Sequence, residues 1–516
     1  MKKLTSIRLV CMIVALLMAM AVFAACAQNN DDQPGADTTT VAGQAGNDPA
    51  NPSDTTASDG SGDAADDGLD ANGLKKDTLP ADLRFDGKTI TLLYWEDVEH
   101  EEFRVEEQTG DNVGDAIFYR NLTIEDRLGI TMDFVSTNAD ADNVANWNNY
   151  VLNAIQSGNG VFDVMAAYSL SVAASATKGY CYDLLDADCQ YLDFDMPWWP
   201  ERLITEATIN DKLYFASGDI SANALYMMYV TYVNTDILND KGLESPIELV
   251  QNNKWTYDKF IEMCADVYID QDGSGDKSEG DRFGYMSSGI HTDPWFYGTG
   301  ALIVDKDTNG NLRFAPSYSS EKTISALEKV TTLLWDTNDG IYTSKVKHQA
   351  EFNNGNLLFA TDRARIAITK LVSEDLHFCI VPFPKYDEAQ ESYVTVMGNP
   401  FTLYAIPIDA TPEELPMLSA YLECYASESY RQVTPQLFEV SLKVKYTQGN
   451  ENAEMYDIIR ENLTFDLGRI FSNVLVGQAG WRNAISANST NWASLCKGYE
   501  KQLPKLLDKM ISAYGG

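Results

Sequence analysis

The sequence predicts an α/β protein of two lobes, each a mostly parallel sheet flanked by helices and joined to the other by crossing strands. Three observations predict it. Strand-like and helix-like stretches alternate from Lys88 to Ala167, which is the pattern of a parallel sheet covered on both faces. Residues 82–516 are more than one hydrophobic core takes, since cores stop growing at ~250–300 residues. Finally, two strand-like runs, Tyr226–Val233 and Phe401–Pro407, stand on either side of a long intervening segment, placed to carry the chain out of one lobe and back.

The elements follow in order. Lys88–Trp95 (KTITLLYW) is rich in branched and aromatic residues and reads as a strand, with Glu96 and Asp97 directly after it. Asp115–Leu128 reads as a helix, with Ile117, Leu122, Ile124 and Leu128 as its apolar stripe and Gly129 as its stop. Ile130–Val135 is a second strand, Trp147–Ile155 a second helix, and Val161–Ala167 a third strand. The tail is helical, most clearly over Glu413–Ala426 and Tyr499–Tyr514. These readings divide the chain into 1–25, a leader; 26–81, a tether; 82–225, the first part of lobe 1; 226–395, lobe 2; and 396–516, a return to lobe 1 with helices packing on both lobes.

The leader and tether are read from composition. Lys2, Lys3 and Arg8 precede an apolar run, Leu9–Phe23, which is of signal-peptide length and short for a membrane span. Phe23-Ala24-Ala25-Cys26 resembles a bacterial lipobox, with Phe23 where leucine is usual; the resemblance implies cleavage before Cys26 and lipidation of its thiol. An ordinary secretory peptide cut nearby is the alternative. Ala27–Pro80 is rich in Asp, Gly, Ala, Thr, Asn and Ser and lacks aromatic residues, so it buries too little apolar surface to offset its ordering entropy. Such a chain spans ~40 Å and holds a folded body off a membrane surface.

Charge narrows the partners. A net charge of −38 argues against nucleic acid and anionic lipid surfaces, and favours neutral ligands. Of the cysteines in the body, Cys264 falls on the apolar stripe of a helix and is expected as a buried free thiol. Cys181 and Cys189 are near enough in sequence for a local disulfide, which spacing alone does not decide.

The most specific local motif runs from Asp270 to Asp281 (DQDGSGDKSEGD) and matches an EF-hand-type calcium loop. Asp270, Asp272 and Ser274 supply oxygens at the first, third and fifth places, and Gly275 makes the sharp turn at the sixth. Asp276 offers its carbonyl, Ser278 can hold a water, and Asp281 takes the last place, where glutamate is commoner. A helix capped by Thr256, with Phe260, Met263, Cys264 and Val267 on one face, precedes it, and no long helix follows. Clustered carboxylates repel without a cation, so a structural calcium ion (Ca2+) is expected; a solvated acidic turn is the bland alternative.

Several stretches in their order carry a resemblance that spans nearly the whole body. They are Gly114-Asp115-Ala116-Ile117 with Arg120-Asn121, Ile124–Gly129, Trp198-Trp199, Asp211–Tyr214 with Gly218-Asp219, Lys254–Asp258 and Pro382–Asp387. Each is of modest specificity, and together they resemble extracellular solute-binding proteins of the sugar-binding class, in the lipoprotein branch related to maltose-type binders. The resemblance implies a periplasmic-binding-protein-like fold that closes on a carbohydrate, expected to be an oligosaccharide, with the closed form presented to the permease of an ABC importer, and no enzyme activity. A monomer anchored outside the cytoplasm is expected.

Ligands of open sheets sit beyond the carboxyl ends of strands, and sugars are gripped by aromatic faces, carboxylates and amides. The candidate ligand residues are therefore Trp95 and Glu96, Tyr168 and Ser169, Asp219, Asn399, Trp295 in an aromatic loop, and Trp481. Core packing is the competing role for each aromatic; for Trp198 and Trp199, between two prolines, it is the favoured one. No G-x-S-x-G elbow, P-loop or H-E-x-x-H helix occurs, and His100, His291, His348 and His377 show no ligand spacing. A secreted glycoside hydrolase, a surface sensor or adhesin, and a binder of non-sugar cargo stand as alternatives.

Overall fold

Lys88–Trp95 forms β1, its side chains alternating until the strand is buried on both faces at Leu92 and Leu93. The computed structural model describes residues 68–98, 101–437 and 451–514. The leader, Cys26 and His100 lie outside the described residues. So does most of the tether.

Two sheets make the two lobes. In the first the order is β12-β3-β1-β2, where β2 is Ile130–Thr137, β3 Val164–Tyr168 and β12 Thr402–Ala405. β1 pairs in parallel with both β2 and β3, and β12 returns antiparallel to β3. In the second the order is β10-β4-β9-β5-β8, built from β4 (Tyr229–Asn234), β5 (Phe283–Ser287), β8 (Gly340–Tyr342), β9 (Leu357–Arg363) and β10 (Phe378–Val381). Here β5 runs parallel to β8 and β9, whereas β4 runs antiparallel to β9 and β10, so this sheet is mixed; the short strands β6 (Val304–Lys306) with β7 (Leu312–Phe314), and β11 (Thr395–Val396) with β13 (Leu463–Thr464), make two further pairs. The antiparallel member has a reason: β4 enters from the other lobe and must run against the strand that leads back. The crossing segments touch at the Met228–Met397 bridge, and a second bridge, Ala216–Tyr404, edges the first sheet.

Helix ends follow local chemistry. Asp111 caps the helix Asn112–Leu128 by accepting from Gly114 N at 2.7 Å, and Gly129 closes it at φ 66°. Ile117, Ile124 and Leu128 are buried, but Leu122 is 47% exposed and does not belong to the stripe expected of it. The third strand starts at Val164, because Asp163 turns its carboxylate to accept from Thr91 N at 2.7 Å. Thr256 caps Tyr257–Cys264 as expected, and Cys264 meets β5 so closely that a Cβ at Gly284 would stand 2.5 Å from the cysteine's own.

The body begins earlier than the expected boundary at residue 82. Leu69 bridges to Lys75, and Leu79 is buried. The Asp77 carboxylate is 1% exposed, bound by both guanidinium nitrogens of Arg127 and by the Ser427 hydroxyl at 2.7 Å. Cys181 and Cys189 are separate buried thiols, so the local disulfide does not form. Burial pushes both thiols up, Cys189 to about 12. Among the described residues no helix is long and apolar enough to cross a membrane.

Candidate ligand cleft

On lobe 1 the carboxyl ends of β1 and β3 and the start of β12 bring four of the expected residues together. Trp95 donates from Nε1 to Thr402 Oγ1 at 3.1 Å, and its ring lies 5.6 Å from that of Tyr168. The Ser169 hydroxyl donates to the Asn399 carbonyl at 2.7 Å, and Ser169 N to Phe401 O at 2.9 Å. Asn399 Oδ1 is a buried acceptor without a partner among the described residues. Trp95 and Tyr168, 1% and 6% exposed, are packed side chains that shape this rim rather than open stacking faces. Glu96 stands exposed beyond them and accepts from the Ser136 hydroxyl at 3.0 Å.

Beneath the rim lies a carboxylate that the sequence did not single out. Glu102 is fully buried and accepts from the Ser221 hydroxyl at 2.9 Å, from Asn223 N at 2.8 Å and from Thr402 Oγ1. Burial raises its pKa, because these hydrogen bonds do not compensate for lost water. Nothing in its sequence setting, Glu101-Glu102-Phe103, distinguishes it from its exposed neighbour.

On lobe 2 the carboxyl ends of β5 and β9 carry a second polar group. Asp362 accepts from His348 Nε2 at 2.7 Å, from Gln349 Nε2 at 2.7 Å and from the Arg363 backbone N at 2.6 Å, and lies 3.4 Å from His291 Nδ1. Burial opposes its charge, but the two histidines and Arg363 outweigh it and hold the carboxyl well below the usual range. His291 is lowered to about 4, chiefly by burial, and is neutral at pH 7. The histidines, scattered in sequence, thus meet in space: their ring centroids are 4.5 Å apart. Beside them Asp293 accepts from Arg469 Nη1 at 2.5 Å, Arg482 Nη2 at 2.6 Å and Gln478 at 3.2 Å.

The two rims converge at the crossing segments. A Cβ at Gly398, next to Asn399, would stand 3.1 Å from Arg363 Cδ, which leaves no side chain between them. The segment Leu467–Ile470 brings Arg469 to Asp293, and Asn473 Nδ2 donates to Leu170 O at 3.4 Å on the lobe-1 side.

Of the other three expected ligand residues, two are core and one lines a cavity. Trp295 is 0% exposed, with Nε1 on the Tyr285 hydroxyl at 3.2 Å and its ring among those of Tyr257, Phe260 and Phe383, so it is core. Trp481 is 2% exposed, donates to Thr292 O at 3.0 Å and packs on Phe296. Its helix contributes Arg482 instead. Asp219 pairs with Arg460 Nη2 at 2.8 and 2.6 Å and lines a cavity of about 630 Å³ beside the crossing residue Met397, with Trp199, Tyr430 and Glu461. Burial raises the pKa of Asp219 in spite of Arg460.

The acidic loop draws three of its carboxylates together. Asp270 accepts from Gly273 N at 2.7 Å and Gly275 N at 2.8 Å, and Asp272 from Ser274 N at 2.8 Å. Asp281, fully buried, accepts from Gln271 N and Ser278 N, both at 2.9 Å. Carboxylate oxygens of Asp270, Asp272 and Asp281 lie within 4.8 Å of one another, and Gly275 turns at φ 79°. Ser274 Oγ donates to the Asp276 carbonyl at 3.0 Å, and Ser278 Oγ to Asp272 at 3.2 Å.

No protein-family model matches the chain, and no curated protein matches it. Solved structures do. One is UgpB from Mycobacterium tuberculosis in complex with glycerophosphocholine, 18% identical, with TM-score 0.53 over 77% of this chain and 95% of that one. Another is a sugar transporter from Rhizobium etli in an open conformation, 13% identical, with TM-score 0.51 over 82% and 98%. A third is an ABC substrate-binding protein from Listeria monocytogenes in complex with cycloalternan, 13% identical, with TM-score 0.50 over 83% and 100%. The chain therefore has the two-lobed, periplasmic-binding-protein-like fold.

Proposed function

We propose that the chain is an extracytoplasmic solute-binding protein that captures a carbohydrate between its lobes and delivers it to the permease of an ABC-type importer. The observation that carries this reading is the convergence of two strand-end rims at the segments that cross between lobes. Such an arrangement closes on a ligand by small changes in two short segments. The rim offers Glu96, Asn399 and Arg363 as polar contacts, with Trp95 and Tyr168 as the packed wall behind them. Two solved structures of this fold are named for a sugar or hold one, which supports a carbohydrate as the ligand.

Binding without turnover is supported by how the rim carboxylates are used, since of those named only Glu96 stands exposed with a single hydroxyl donor. Asp362 and Asp293 are each held by cationic or amide donors, and Glu102 is buried under three hydrogen bonds. A glycosidase needs one carboxyl free to protonate a leaving group and another free to attack or to activate water. Calcium in the Asp270–Asp281 loop is part of the proposal as a structural ion, with Asp270, Asp272 and Asp281 as charged ligands. So is a lipid anchor at Cys26, with the protein acting as a monomer.

The test is a thermal-shift screen of the chain from residue 66 onward against mono- and oligosaccharides, with calcium present. A saturable rise specific to one sugar class is the expected outcome, since a ligand selective for the folded state stabilises it. No rise across a broad panel, from a protein that melts cooperatively, would sink the reading.

A further inference from the structure

A second aromatic feature stands on lobe 2, at the carboxyl end of β8. Tyr342 ends that strand, opposite Ser287 of β5, and so lies on the edge of the sheet that carries the cleft. Its ring stacks against Trp335 with centroids 5.3 Å apart and planes 22° from parallel. Trp335 is 37% exposed, whereas Trp95, Trp198, Trp295 and Trp481 are all within 2% of full burial. A large indole left in water beside a second ring is an unusual use of apolar surface.

The pair is also fixed in place. Trp335 Nε1 donates to Ile485 O at 2.8 Å, and Gly289 N donates to the Tyr342 hydroxyl at 3.4 Å. Lys277, from the acidic loop, donates to the carbonyls of Thr337 at 2.7 Å and Gly340 at 3.0 Å, tying that loop to the turn between the two aromatics. A groove of about 550 Å³ runs along the platform, with Ser278, Glu279, Ser344 and Ser486 along its sides. Glu279 pairs with Lys347 at 3.1 Å, both half exposed. Fixed rings at the floor and hydroxyls and carboxylate at the sides are what a pyranose requires: its C–H face stacks, and its hydroxyls reach the rim.

We infer that Trp335 and Tyr342 form a stacking platform for an outer sugar ring, and hence that the ligand is an oligosaccharide rather than a monosaccharide. The inference rests on the carbohydrate reading of the cleft. Its neighbours place it on the same side: Gly289 opens the turn that carries His291, and Ile485 and Ser486 end the helix that carries Arg482. A chain leaving the cleft along lobe 2 meets the platform next. Because both rings are held before the ligand arrives, stacking there costs little ordering of the protein.

The experiment is calorimetric titration of the whole chain, in calcium, with oligomers of two to six units of α-1,4-glucose, β-1,4-glucose, β-1,4-mannose and β-1,4-xylose. In the wild type, affinity rises about tenfold at the chain length that reaches the platform. Trp335→Ala loses that step while binding the shortest ligand within about twofold of wild type. Trp335→Phe, which keeps a ring but not the bond to Ile485, retains most of the step. A length step that survives in W335A, or that W335F loses equally, overturns the platform and leaves the carbohydrate reading standing. No length dependence in a wild type that does bind sugar has the same meaning. Absence of any binding by the wild type overturns the carbohydrate reading and the platform together.

Discussion

Asp293 and Glu423 are both buried carboxylates, and their surroundings drive them in opposite directions. Asp293 is 2% exposed but faces Arg482 and Arg469, whose charges outweigh its burial and keep it ionised. Asp293→Ala would leave two guanidinium groups facing one another, and breaking such a buried pair costs about 3–5 kcal/mol, read as a fall in the urea midpoint. Glu423 has no cation beside it among the described residues: it accepts from Trp198 Nε1 at 3.1 Å and Trp199 Nε1 at 2.9 Å, and burial pushes it up to about 8. Between its ordinary value near 4.5 and about 8, the folded protein holds a proton that the unfolded chain has released. Stability from this group is therefore greatest at acid pH and falls through that window by about 1.4 kcal/mol per unit. Glu423→Gln has no such slope, so its melting temperature relative to wild type should climb from pH 5 to pH 8; a constant difference would place the carboxyl in water. The fixed roles of Trp198 and Trp199 were legible from their flanking prolines, but their acceptor, more than two hundred positions away, was not. The misplacement of Trp295 has the same source. An aromatic loop reads alike whether its rings face a ligand or each other, and only the packing partners Tyr257, Phe260 and Phe383 decide.

At the scale of elements, local chemistry was the better guide. Strand β1 and the capped ends at Gly129 and Thr256 lie where side-chain alternation and capping residues put them, because those signals act within a few residues. The start of the body did not follow composition. Residues 68–80 look like tether, yet Asp77 anchors them to lobe 1 through Arg127 and Ser427, a partnership invisible in a polar stretch. A chain begun at residue 82 should accordingly melt lower than one begun at residue 66, by the equivalent of about 1–3 kcal/mol, discounted because Arg127 keeps some solvent. In the acidic loop the carboxylates of Asp270, Asp272 and Asp281 come within 4.8 Å of one another. Its carboxylates converge with only backbone and hydroxyl donors between them, so a divalent cation should add stability in proportion to the logarithm of its concentration. Chelation should lower the melting temperature and calcium restore it, and Asp270→Asn with Asp281→Asn should abolish the response. Since Lys277 links this loop to the turn below Trp335, the same pair of substitutions should loosen the aromatic platform, visible as a red shift and easier quenching of tryptophan fluorescence.

The molecule as a whole is built on two main sheets, with crossing segments between them. Met228 and Met397 pair there, and Gly398 leaves room for Arg363 to lie against the crossing itself. A ligand biases the two lobes toward one another only by the free energy it gains in touching both rims at once. Solution scattering should therefore show a smaller radius of gyration with saturating ligand than without. Gly398→Val tests the hinge directly. A Cβ at that position meets Arg363 Cδ at 3.1 Å and Met227 O at 3.3 Å, so branched bulk there pushes the crossing segments apart. Because it also presses on Arg363, a proposed sugar contact, the radius of gyration is the readout that isolates the hinge. The expected result is ligand affinity reduced about tenfold, or 1.4 kcal/mol, with the radius of gyration held near the unliganded value at intermediate ligand concentrations. Binding as tight as wild type, with full contraction, would mean that the ligand is held by one lobe and that closure is not what carries recognition.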